Sequence, residues 1–167
     1  MGETTRRIEP EAISEPAWQP FGWLPVPDTD PKDGNNRLTY EWADPHVNII
    51  GHRRDEVPAA HGALRCEVLF RHLTHTQVVM PLDVDAVIAV APAGTDPRTE
   101  DGAGQIRVFA LPVQQAIVLA QGTWHWGPYP ARGQSVRLFN VQGLGYAEDN
   151  DSADLAEAGT AVEVGLG

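Results

Sequence analysis

The chain has 167 residues, 42% of them hydrophobic, which is enough for one sizeable core and too little for a second independent one. Its formal net charge of -11 at pH 7 repels phosphate backbones and anionic lipid headgroups, so nucleic acid and membrane surfaces are disfavoured against small molecules or another copy of the chain. The 16 glycines and 14 prolines follow no repeat period and suit many short strands joined by turns, so a mostly β fold is expected.

Residues 1–17 are polar, and Pro16 limits any helix there to one or two turns. Between Trp18 and Pro27 three aromatics stand among three prolines, a poor ladder strand but a good extended arm packed over a core. A proline-aromatic peptide ligand is the alternative, but no P-x-x-P register stands out. Residues 28–37 form a loop by composition. Leu38–Trp42 and Val47–Arg53 alternate as short strands, and a loop follows around Pro58–Gly62.

From residue 64 the strand signals become regular. Leu64–Arg71, Thr76–Pro81, Ala86–Ala91, Ile106–Leu111, Ala116–Ala120 and Val136–Val141 are the candidates. Turns are expected at 82–85, 112–115 and 127–133, and residues 92–104 form the longest surface loop. Spacing this short argues for antiparallel strands in a sandwich or barrel and leaves no room for βαβ crossovers. Residues 148–167 turn acidic and alanine-rich and are set apart as a tail, which leaves 1–147 as a single domain that includes the N-terminal arm.

Cys66 is the only cysteine, so an intrachain disulfide is impossible; a buried structural thiol fits it better than a nucleophile. No apolar h-region stands behind Met1–Arg7, and no apolar run reaches the ~18 residues of a membrane span, so a cytoplasmic location is expected. A small anionic substrate would need a local cation, for which Arg53, Arg65, Arg71 and Arg137 are candidates.

One histidine in a β-rich chain is more often a hydrogen-bonded surface side chain than a ligand. Here His72 is followed five positions later by Gln77, and His125 stands after Gly122 behind a valine-leucine strand. Two such strands can aim both imidazoles into one cavity, and imidazole nitrogen with a side-chain oxygen is a first-row metal set. Trp124, Trp126 and Tyr129 would wall an apolar pocket around them, although a dimer interface uses the same residue types.

At these residues the sequence resembles the cupin superfamily, with His72, Gln77, Gly122 and His125 at motif positions and Phe70 at the first histidine position. It is more similar to the ureidoglycolate lyase family. Arg71-His72-Leu73-Thr74-His75-Thr76-Gln77-Val78-Val79-Met80-Pro81 stands beside that family's R-H-P-x-x-[ST]-Q-x-F-x-P. The strand Ala86–Pro92, then Ile106-Arg107-Val108-Phe109, then the run from Gln114 to Trp124-His125 follow in the family's order, so that residues 47–143 agree.

The resemblance implies an antiparallel cupin-type double-stranded β-helix with a short N-terminal helix or arm. It also implies a homodimer paired through the Trp18–Pro27 arm, and elimination of urea from ureidoglycolate to leave glyoxylate. It gives His125 and His72 catalytic roles, makes Arg53, Arg71, Gln77 and Trp124 substrate-binding, and lets His72, Gln77 and His125 hold a divalent ion of the nickel, zinc or manganese class. The chain departs from the family at Phe70, where a glutamate is usual, at Leu73 for proline, and at Gln142 for aspartate. A metal set without a carboxylate binds a divalent ion less tightly, because a neutral amide neutralises no charge. The other readings are a cupin acting on another small 2-oxo or 2-hydroxy acid, and a non-catalytic binding protein.

Overall fold

The structure is a computed structural model and describes residues 3–25 and 44–166. The expected loop at 28–37 and strand at 38–42 lie outside these residues, as does the end of the Trp18–Pro27 arm. The described strands make three hydrogen-bonded sheets, so the all-β class holds. None of the sheets closes on itself among the described residues, so they show the all-β class and not the finer double-stranded β-helix.

A central sheet has the order β14 (Asp151–Asp154), β7 (Val68–Arg71), β12 (Trp124–Pro130), β9 (Ala86–Ala91), β10 (Arg107–Leu111) and β2 (Glu11–Ala12). On one side lies a sheet of β1 (Thr4–Ile8), β15 (Thr160–Val164), β6 (Ala63–Cys66) and β5 (Ala59–Ala60). On the other lies the sheet of β3 (Gly22–Trp23), β11 (Ile117–Leu119), β8 (Gln77–Pro81), β13 (Ser135–Gly143) and β4 (Pro45–Arg53).

The layering follows from β9, whose six residues are all buried. Side chains alternate across a strand, so Val87, Ala89 and Ala91 enter the core shared with the first sheet, while Ala86, Ile88 and Val90 enter the core shared with the third. A continuous apolar run was the only pattern that could satisfy both faces. Each fully buried valine or isoleucine there contributes about 1.5–3 kcal/mol of transfer free energy.

The helix α1 (Glu15–Trp18) is a single turn, capped by the Ser14 hydroxyl accepting from the Ala17 amide. It delivers Trp18 into the second core, where its ring meets Phe109 edge-on at 5.2 Å and its indole N–H donates to the Val118 carbonyl at 3.0 Å. Phe21 is buried beside them. The arm therefore plugs its own chain's core through its first aromatics, as an arm packed over a core should.

Four features depart from the sequence expectation. The polar segment Thr4–Ile8 is a strand, paired in parallel with β15, and β2 pairs in parallel with β10, so pairing is not wholly antiparallel. The 148–167 tail is part of the fold, because β14 pairs with β7 and β15 with β6. The long loop 92–104 ends in the short helix α2 (Glu100–Gly104). The turn expected from residue 127 begins later: β12 runs on to Pro130 through a bulge between Trp126 and Tyr129, where Gly127 takes φ +88. No helix among the described residues is long and apolar enough to cross a membrane.

Candidate active site

The second core is apolar over most of its length and polar at one end. Strand parity decides which side chains point there. Val79 and Leu138 face the core, so Gln77 on the same strand as Val79, and Asn140 and Gln142 on the same strand as Leu138, share that face. Val90 faces it from the central sheet, and His125 is its register partner on β12. His72 and His75 enter from the turn between β7 and β8. The resulting small cavity is lined by His72, His75, Gln77, Leu119, Ala120, Thr123 and His125.

The turn carrying His72 and His75 is held by a distant residue. Both carboxylate oxygens of Asp149 are used: one accepts from the Leu73 amide at 2.9 Å, the other from the Thr74 amide at 2.8 Å and the Thr74 hydroxyl at 2.6 Å. The Asp149 backbone carbonyl lies 2.7 Å from His72 Nδ1. A carbonyl can only accept, so His72 Nδ1 carries a proton. His125 repeats the pattern, with Nδ1 donating to the Thr123 carbonyl at 3.1 Å and Nε2 left as an acceptor. The rings of His72 and His75 stack at 4.7 Å, and those of His72 and His125 stand 5.5 Å apart.

The electrostatics favour the neutral form of His125 and of His75. Burial, followed by the neighbouring His72, pushes His125 down to about 4. The same two causes lower His75. For Asp149 burial acts upward, but the Thr74 hydroxyl and the Leu73 and Thr74 amides outweigh it and hold the carboxyl below its usual range.

His72, Gln77 and His125 are thus brought to one cavity. The other expected substrate-binding residues are not. His125 pairs with Phe70 across the β7–β12 ladder, which puts Arg71 on the opposite face of the sheet. There its guanidinium lies 4.1 Å over the Trp124 ring and bonds Asp151. Trp124 and Trp126 belong to the core on that face, and Tyr129 packs against Trp126 and His52 instead of walling the cavity. Arg53 is exposed and bonded to Asp55, Arg65 bonds Glu3 and Glu67, and Arg137 bonds Asp83.

Two residues went unnoticed in the sequence. His75 stands three places after His72 in the same turn, a local signal that could have been used. Asp149 lies in the acidic segment, 77 residues from His72, and no spacing rule reaches it. His72, His75 and Asp149 offer ligand atoms all within 4.8 Å of one another. This supplies the carboxylate that the sequence set lacked. Such a donor set suits a first-row divalent ion, and His75 Nε2, buried without a hydrogen-bond partner among the described residues, is the kind of atom an ion would satisfy. The residues fit a metal.

A family model described as Ureidoglycolate lyase matches residues 5–163. No curated protein matches the chain. Among solved structures, the polyketide cyclase RemF from Streptomyces resistomycificus is 14% identical, with a TM-score of 0.31 over 60% of this chain and 55% of that one. The chain therefore spans about half the length of that protein.

Proposed function

The chain belongs to the ureidoglycolate lyase family, and from that footing we propose that its histidine cavity eliminates urea from ureidoglycolate to leave glyoxylate, with His125 as the base. The observation that carries the reading is the placement of His125 in the cavity shared with His72 and Gln77, its Nδ1 held by the Thr123 carbonyl.

The substrate is a carbinolamide, so the reaction is a proton relocation coupled to one bond cleavage. His125 Nε2 takes the hydroxyl proton. The C–O bond becomes the aldehyde as the C–N bond breaks and its electron pair leaves on the urea nitrogen. The imidazolium returns the proton to that nitrogen, and urea and glyoxylate form with no co-reactant. An imidazole held neutral at pH 7 enters this cycle in the correct state.

His72, His75 and Asp149 would hold a divalent ion of the nickel, zinc or manganese class. Bound there, it would supply positive charge for the substrate carboxylate and acidify the hydroxyl. That charge matters, because none of the lining residues is an arginine or lysine. A homodimer accompanies this reading through the family resemblance alone, and light scattering on purified protein tests it.

The decisive assay is incubation of the purified protein with ureidoglycolate, with and without added divalent metal, reading glyoxylate and urea. Equimolar products well above the spontaneous rate are expected. No increase in either condition overturns the assignment.

A further inference from the structure

Among the described residues, Gln77 has one amide branch satisfied and the other without a partner. Its Nε2 donates to Asn140 Oδ1 at 2.8 Å, and Asn140 Nδ2 donates to Asn48 Oδ1 at 2.8 Å. Gln77 Oε1 is buried with no hydrogen-bond partner, in a side chain only 7% exposed that lines the histidine cavity. Buried carbonyl oxygens are nearly always paired, so an orphan at a cavity wall marks a place for a donor from outside the protein.

The ladder register builds the arrangement. Asn140 stands directly opposite Asn48 on β4 and opposite Val79 on β8, so Gln77, two residues along from Val79 on the same face, is its diagonal neighbour. Asn140 is wholly buried. Each amide in the row gives its N–H to the next oxygen. Turning Gln77 over alone would set its oxygen against Asn140 Oδ1, two acceptors facing each other.

We propose that Asn140, backed by Asn48, is a positioning residue that locks Gln77 as a hydrogen-bond acceptor, and that Gln77 Oε1 receives the terminal N–H of the substrate's ureido group and sets the preference for a urea over a simple amide. This rests on the lyase reading. A buried acceptor left unpaired penalises a ligand lacking the donor far more than a missing contact does, so discrimination of roughly 100-fold or more is expected.

The test compares ureidoglycolate with 2-acetamido-2-hydroxyacetate, in which a methyl replaces the terminal amino group. Both are carbinolamides that collapse to glyoxylate, releasing urea or acetamide. The wild-type ratio of kcat/KM should be about 100 or more. Gln77→Met should bring it within about tenfold of unity, Asn140→Leu should do nearly the same, and the double variant should add nothing further. A ratio unchanged in Asn140→Leu overturns the proposal. So does an equal loss for both substrates, which is what a role in holding an ion or the fold alone produces.

A binding measurement separates this inference from the lyase reading. Oxalurate carries the same ureido N–H groups on a frame that cannot eliminate, and is titrated by calorimetry into wild type and Asn140→Leu. Wild-type binding weakened tenfold or more in the variant upholds the acceptor even where no glyoxylate forms. Equal binding by the two proteins, or none to wild type, overturns it.

Discussion

The imidazole of His75 lies against the backbone of Gly143 so closely that a Cβ at position 143 would stand 2.7 Å from Nδ1 and 3.0 Å from Cγ. No side chain fits there unless the ring moves. Gly143→Ala should therefore displace His75 from its stack on His72, lower glyoxylate formation at least about tenfold, and cost about 1–3 kcal/mol in urea unfolding, the usual toll of overpacking. Activity and stability both at wild-type level would show that His75 is not held by this contact.

His125→Gln keeps the volume of the side chain and removes the base. General-base catalysis contributes roughly 100- to 10,000-fold, so kcat should fall by at least 100-fold while the thermal midpoint stays close to that of wild type. A fall below tenfold would move the proton transfer to another group in the cavity.

Asp149→Ala removes three hydrogen bonds to the 73–74 turn while leaving the carbonyl bond to His72 Nδ1 in place. Bonds to a charged acceptor are worth ~1.5–3 kcal/mol each, with the partial exposure of this site reducing the total. A destabilisation of about 2 kcal/mol is expected, together with weaker retention of zinc or nickel in equilibrium dialysis. Unchanged metal retention would remove Asp149 from the ligand set.

Arg71→Met tests the placement of that residue behind the sheet. Its guanidinium serves Trp124 and Asp151, and an exposed cation–π contact is worth about 0.5–1 kcal/mol. Stability should drop by about that much, with kcat/KM for ureidoglycolate within threefold of wild type. A thirtyfold rise in KM would return Arg71 to the substrate carboxylate.

Acid should weaken the metal-free protein in a defined window. His125 is held near 4 in the fold, whereas an imidazole in the unfolded chain titrates at about 6.5. Between those values the unfolded state binds a proton that the folded state refuses. Stability is then complete above about pH 6.5 and falls as pH drops toward 4, by up to about 3 kcal/mol from this residue. Urea midpoints at pH 7 and pH 4.5 should differ more for wild type than for His125→Gln, and parallel curves would contradict the burial of a neutral ring.

Much of the architecture was legible because its strands are strongly patterned. Gln77–Pro81 alternates, Ala86–Ala91 is a continuous apolar run, and Ser135–Gly143 alternates in burial over its first eight residues. Thr4–Ile8 was not legible, since four of its five residues are exposed and its reason for being a strand is the distant Thr160–Val164. At the site, His72, Gln77 and His125 stood out as side chains in β-forming context. Arg71 misled because sequence adjacency to His72 says nothing about faces; only the pairing of His125 with Phe70 does. Asn140 looked like an ordinary polar residue in a strand, and its meaning comes from the register with Asn48 and Val79.

The hold of Asp149 on the 72–75 turn also fixes an order of events. During synthesis His72, His75 and Gln77 emerge early, but the residue that clamps their turn and the strand that lies beside β7 are made more than 70 residues later. The cavity is therefore among the last parts of the molecule to become competent, and a nascent chain stalled before residue 149 carries most of its core yet no finished site. Contacts this far apart in sequence are also slow to close.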